Sequence, residues 1–373
     1  MGKLSSRTEF VKPTFQTSVN LEGYINIGSG TPNFSPPESV IQAFKESIDR
    51  RQLSYTSWSG LNTLKEAISK KLLKENNYFA DPTAEILVTS GAQPAIFAIF
   101  LSILDYGDEV IIPAPYYSTY EEIAKICGAK VIPIQTNTHN NFTFSFDDFE
   151  QTLSEKTKLV VLVSPSNPTG TVLSKDLIDK VYNKLEGLDI TLITDEIYEH
   201  YIYDDYKHYS LMSEHVEKKN IISIYSLSKG YGLTGIRVGY IVSNRDMIAT
   251  IAPFHHAMNI CAPVNAQYAS IEALSLGREW FEIEMRNVTA ARQLWIDFLE
   301  QLNLPYGIPQ GAYYVCFDIG DCQKSAPQVS KDLRIGHQLI INSVEDKYLR
   351  GSFMQDLEVL KSGLNRLKSY FRQ

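Results

Sequence analysis

Six short runs of aliphatic and β-branched residues recur between residues 84 and 226: "AEILVTS" (84–90), "DEVIIPAP" (108–115), "AKVIPIQ" (129–135), "KLVVLVSP" (158–165), "DITLITDE" (189–196) and "NIISIYS" (220–226). Between several of them lie amphipathic stretches such as "PAIFAIFLSIL" and "DLIDKVYNKLEG". Runs that are apolar almost throughout, rather than alternating, suit strands covered on both faces. Helical segments between them predict an α/β fold built on a mostly parallel sheet. Ligands on such sheets sit at the carboxyl ends of strands.

The flanks differ. About 35 residues at the start are polar and irregular, and "SPPESVIQAFKESI" then opens a helix with prolines at its entry. From Pro263 to Leu302 the pattern is helical, with a break expected near Gly277, and leads into a C-terminal lobe. A chain of 373 residues exceeds one ordinary core, so two lobes are expected.

Four strand ends carry unusual chemistry. "LVTSGAQPA" passes from a strand through Ser90, Gly91, Ala92 and Gln93 into a helix, which leaves free backbone N–H groups suited to a phosphate. "VSPSNPTG" leaves Asn167 in a turn shaped by prolines and Gly170, and an ordinary Asn-Pro turn looks the same. Asp195 and Glu196 close a strongly apolar strand, with Tyr198 following. A buried carboxylate there is costly unless it meets a cation. Lys229 ends the run "NIISIYS" among Ser226, Ser228 and Gly230, with Arg237 eight residues on. A buried lysine amine loses its proton readily and can attack a carbonyl. Arg237 can fork onto phosphate oxygens, with Ser226 adding a hydrogen bond. An aldehyde for the lysine, a phosphate for the arginine and a basic ring nitrogen for Asp195 are all supplied by pyridoxal 5'-phosphate.

Composition narrows the field. Hydrophobic residues make up 44% and charged residues 21%, as in soluble globular proteins. The formal net charge of −8 and the lack of a basic stretch disfavour nucleic acid. No apolar run approaches the roughly 20 residues of a membrane span. Cys127, Cys261, Cys316 and Cys322 form no disulfide or zinc framework, so no metal is expected and a cytoplasmic location fits.

At the level of motifs the sequence resembles the class I/II aminotransferases, which are fold-type I pyridoxal-phosphate enzymes. "IGSGTPNFSPPE", "SYTSWSGLNTLKEAI", "TSGAQPAI", "PAPYYSTYEE", "SPSNPTG", "TDEIYEHY", "SLSKGYGLTGIRVGY" and "PQGAYYV" follow one another in that family's order over nearly the whole chain. The resemblance implies a mostly parallel seven-stranded sheet in a large domain (36–284), plus a smaller α/β domain made of 1–35 and 285–373. It implies an internal aldimine on Lys229, Asp195 on the pyridine nitrogen, Tyr198 and Asn167 on the ring hydroxyl oxygen, and Tyr117 stacked on the ring. Gly91, Ala92, Gln93, Ser226 and Arg237 then surround the phosphate, which Tyr55 reaches from a neighbouring subunit of a homodimer. Arg350, in "KYLRGSFMQDL", and the Gly30 N–H take the substrate α-carboxylate. The substrates implied are an amino acid and a 2-oxo acid.

Departures bear on the substrate side. "GHQLIINSVEDKYLRGSF" is shorter than the corresponding family segment and lacks its Pro-Gly. No second arginine is evident for a side-chain carboxylate and Gln93 is uncharged, which favours neutral or aromatic amino acids over aspartate. The same cofactor residues would also serve a lyase or decarboxylase acting on an amino acid. Ser226-Leu227-Ser228-Lys229 matches S-x-x-K, but the S-D-N and K-T-G companions of serine acyl-enzymes are missing.

Overall fold

The computed structural model describes residues 5–11, 22–320 and 322–372. Its strands run in chain order from β1 (Ile25–Asn26) through β2 (Ile86–Thr89), β3 (Glu109–Pro113), β4 (Lys130–Ile134), β5 (Thr157–Val163) and β6 (Thr191–Asp195). They continue with β7 (Ile221–Ser226), β8 (Gly239–Val242), β9 (Tyr314–Asp318), β10 (Leu339–Ile340), β11 (Asn342–Val344) and β12 (Tyr348–Ser352).

Strands β2 to β8 form one seven-stranded sheet in the order β2-β8-β7-β6-β5-β3-β4. All pairings are parallel except those of β8, which runs antiparallel to both β2 and β7. The six apolar runs thus form β2 to β7, and the seventh strand comes from "IRVGYIV". Every residue of β2, β6 and β8 is buried, as expected where helices cover both faces. Burying one such Val, Ile or Leu is worth roughly 1.5–3 kcal/mol.

The twelve-residue connection Leu227–Val238 between β7 and β8 holds only the helical turn Leu227–Gly230 and no helix that would carry the chain across the sheet. The chain therefore doubles back, and Thr89, Gly239 and Ser226 come into register across three adjacent strands. The ends of β2 and β7 and the start of β8 share one rim. Asp195 at the end of β6, and Asn167 shortly after β5, lie on the same rim.

Beyond the sheet, helices Val264–Ser275 and Glu279–Leu302 are separated at Leu276–Arg278, next to the expected break. A second apolar core gathers Trp295, Phe298 and Leu299 of the long helix with Val315 and Phe317 of β9 and Leu360 and Leu367 of helix Leu357–Phe371. Strands β11, β12 and β9 form an antiparallel sheet there, and β1 from the N-terminal segment pairs in parallel with β10. Among the described residues no helix is long and apolar enough to cross a membrane.

Candidate active site

One end of the rim is built to receive an anion. Gly91 precedes helix Ala92–Ile103 with φ of +101°, and a Cβ there would lie 2.5 Å from a terminal nitrogen of Arg237. Gly239 is equally constrained, because its Cβ would come within 2.9 Å of the Ala92 nitrogen. Ala92 and the exposed Gln93 form the first turn of the helix. Arg237 donates to the Thr234 carbonyl at 2.9 Å, and among the described residues no carboxylate pairs with it. Ser226 Oγ caps the turn Leu227–Gly230, accepting from the Ser228 N–H at 3.1 Å. A helix N-terminus beside an arginine without an acid partner favours a phosphate. His255, fully buried, accepts the Ser90 N–H on Nε2 at 3.3 Å. Burial, then His256, pushes its pKa down to about 4, so it is a neutral packing residue.

At the centre, Lys229 Nζ donates to the Gly30 carbonyl at 2.7 Å. Burial lowers its pKa; Tyr314 and Asp195 pull it up, and Arg350 and Arg237 push it further down. Asp195 is 3% exposed. It accepts the Tyr120 hydroxyl at 2.5 Å and the Ile197 N–H at 3.2 Å. Burial nevertheless raises its pKa to about 6. Its neighbour Glu196 belongs to a different network, bonded to His208, Ser210 and Thr194. Glu196, Glu199 and His208 are close enough together to hold a metal ion, but the Lys71 ammonium sits 2.5 Å from Glu199 and supplies that positive charge.

On the open side, Arg350 in β12 donates to Asn167 Oδ1 at 2.8 Å and to the Gly28 carbonyl at 3.0 Å, and its guanidinium lies 4.3 Å from the centre of the Tyr314 ring. Its Nε is buried without a hydrogen-bond partner, and among the described residues no carboxylate pairs with it. Tyr198, packed beneath, has its hydroxyl 3.2 Å from that of Tyr314. Burial would raise the pKa of Tyr314, but Arg350 and then Lys229 outweigh it and lower the pKa. Tyr198 is raised by burial and by Tyr314. A cavity of about 660 Å³ opens in front of Arg350, lined also by Tyr117, Asn167, Asn342 and Glu345.

Comparison with known proteins gives the family. Residues 22–356 match the family described as aminotransferase class I and II. The chain belongs to that family. It is 30% identical over 383 residues to an aspartate aminotransferase of Pyrococcus abyssi, covering 99% of this chain and 98% of the relative. It is 28% identical to aromatic-amino-acid aminotransferase 2 of Thermococcus litoralis, with the same coverage. The crystal structure of an aromatic aminotransferase from Pyrococcus horikoshii superposes with a TM-score of 0.90 at 29% identity, covering 98% of each chain. The aminotransferase is pyridoxal-phosphate-dependent and transfers an amino group from an amino acid to a 2-oxo acid.

The residues present fit that cofactor. Asp195 is a buried carboxylate short of a cation, Lys229 a buried amine biased toward its neutral form, and Arg237 with Gly91 an anion seat. The rim brings together Gly91, Ala92, Gln93, Asp195, Ser226, Lys229 and Arg237; Asn167, Tyr198, Gly30 and Arg350 face them. Tyr117 lies in the cavity wall at 40% exposure. Tyr55 stands apart, 75% exposed and hydrogen-bonded to nothing among the described residues. Sequence reasoning passed over Tyr120 on Asp195, Tyr314 beside Arg350, and Tyr313, which donates to the Gly30 carbonyl at 2.9 Å. Two quoted motifs, "PAPYYSTYEE" and "PQGAYYV", contained them.

Proposed function

We propose that in this aminotransferase Lys229 is the amine that bears the cofactor and shuttles the substrate's Cα proton, with Arg350 as the anchor for the substrate carboxylate. The observation that carries the reading is Arg350 itself. A buried guanidinium nitrogen with no partner, on an arginine with no acid, calls for an anion. Its forked contacts to Asn167 and Gly28 hold it still while it waits.

When bound, pyridoxal phosphate supplies an aldehyde carbon and an electron-withdrawing ring. The chain does the rest. Gly91, Ala92, Gln93, Ser226 and Arg237 hold the phosphate, with Tyr55 of the partner subunit completing the seat. Asp195 holds a proton at the ring nitrogen; that positive charge would draw its raised pKa back down, and Tyr120 keeps the carboxylate oriented. Tyr198 and Asn167 bind the ring hydroxyl oxygen, and Tyr117 covers the ring face. The Gly30 N–H and Arg350 orient the amino acid. Lys229 Nζ takes the Cα proton and returns it, a task its lowered pKa suits because the free amine is more available near neutral pH.

We further propose an obligate homodimer with shared sites, supported by the exposure of Tyr55 and of Leu53 and Trp58 beside it. Two domains, 36–284 and 1–35 with 285–373, are supported by an apolar core drawn mostly from 285–373, into which Tyr198, Tyr201, Tyr203 and Phe281 also pack, with helix Glu279–Leu302 spanning the boundary. A cytoplasmic location fits the four unpaired cysteines.

The test is a two-substrate assay that follows both products. One new 2-oxo acid per new amino acid is expected; ammonia or carbon dioxide as the stoichiometric product would overturn the reading. Arg350→Lys should raise KM for the donor tenfold or more, since a point charge replaces a fork.

A further inference from the structure

The wall of the substrate cavity carries charge of one sign away from Arg350. Among the described residues its other ionisable groups are the carboxylates Glu121 and Glu345 and the hydroxyls Tyr116 and Tyr117, with no lysine, histidine or second arginine. Glu121 is partly neutralised by Lys125 at 2.6 Å. Glu345 has neither a hydrogen bond nor an ion pair among the described residues.

Glu345 is an exposed residue of the hairpin turn. It follows Val344 at the tip of the β11–β12 hairpin with φ of +52°, and Val344 pairs with Tyr348. Arg350 sits on the same hairpin, opposite Asn342. Glu345 lies just past the last strand pair, at the turn, and lines the same cavity as Arg350. The cavity thus has a cation in its strand wall and an anion at the hairpin tip, with room between them for the side chain of a bound amino acid.

Two further observations agree. Asn342 Oδ1 is buried in this wall without a partner, while its Nδ2 donates to the Gly28 carbonyl at 2.9 Å, so the wall offers an acceptor that wants a donor. Tyr116 has its pKa raised to about 12 by burial and then by Glu121 and Glu345, which puts both carboxylates within electrostatic reach of one hydroxyl.

We propose that Glu345 is a specificity-determining residue and that the preferred amino donor has a cationic end to its side chain, an amine or a guanidinium. This rests on the reading of Arg350 as the carboxylate anchor. It sharpens the expectation against aspartate: a second carboxylate would face the unpaired Glu345, with no unpaired cation besides Arg350 among the described lining residues. The tyrosines of the wall cover the methylene stem.

Binding can be separated from turnover with amino acids that lack the Cα proton. The holoenzyme is titrated calorimetrically with α-methyllysine, α-methylphenylalanine and α-methylaspartate. The lysine analogue is expected to bind at least tenfold more tightly than the aspartate analogue. In Glu345→Gln the ratio of lysine-analogue to phenylalanine-analogue affinity should fall about tenfold, the order expected for one charge at partly solvated range. Glu345→Asp should restore part of it. The proposal is overturned if the aspartate analogue binds most tightly, or if the ratio does not move in Glu345→Gln. Failure of the underlying reading looks different: Arg350→Lys would then weaken none of the three ligands.

Discussion

The guanidinium of Arg237 rests against Gly91, so closely that a methyl group on the glycine would lie 2.5 Å from it. The two residues come from opposite ends of the sheet segment in sequence and meet because β8 runs back beside β2 and β7. Gly91→Ala introduces both this clash and a side chain at φ of +101°. Cofactor affinity should drop tenfold or more, and folding stability by about 1–3 kcal/mol. Fluorescence titration of the cofactor and a thermal melt separate the two effects. Unchanged cofactor affinity would mean that the phosphate is held elsewhere.

Lys229→Ala should leave the chain folded and able to bind pyridoxal phosphate without a covalent link. Borohydride reduction of the native holoenzyme, followed by peptide mapping, should place the label on the peptide containing Lys229. A label on any other lysine removes Lys229 from the chemistry.

Asp195 links the site to stability. Its pKa is raised by burial from an ordinary carboxylate value to about 6. A raised carboxylate pKa means that the folded chain binds the proton more tightly than the unfolded one. Its contribution is therefore most favourable at low pH and is lost as pH rises from about 4 to about 6. In cofactor-free protein, Asp195→Asn should raise stability above pH 6 by on the order of 1–3 kcal/mol. The same variant should lose most of its turnover, because the ring nitrogen loses its anionic partner. Melting curves of wild type and variant from pH 5 to 8 check the first part; coincident curves throughout would count against a strained carboxylate.

Tyr55 gives a test of shared sites. Lys229→Ala and Tyr55→Asp are each expected to be inactive, the second because a carboxylate would face the phosphate. In a hybrid dimer with sharing, one site receives Lys229 from one protomer and Tyr55 from the other and is intact. Mixing the variants through reversible unfolding should restore activity, up to one good site per hybrid. Verified hybrids without activity would show that Tyr55 acts within its own chain.

What was legible in the sequence follows from physical cost. Lys229 and Asp195 stand out because charges rarely end such apolar runs without a partner, and Gly91 because a strand turns directly into a helix there. Arg350 carries no such signal and gained its place only from the order of the motifs. Three tyrosines in "YYSTY" look alike on paper; the helix beginning at Thr119 turns Tyr120 inward to Asp195 and leaves Tyr117 on the cavity wall. The reversed direction of β8 was also hidden, since an apolar run does not state its polarity. Glu345 belongs to the shortened segment, where only the folded cavity shows that it joins the same wall as Arg350.

The alignment of Thr89, Gly239 and Ser226 makes the anion seat a gauge of correct assembly. Were β8 to pair two residues out of step, its apolar face would still be buried, but Arg237 would move about 7 Å from Gly91. Such a chain could be compact and yet unable to retain the phosphate. Because a ligand stabilises only the state that binds it, the cofactor would add to the preference for the properly threaded sheet.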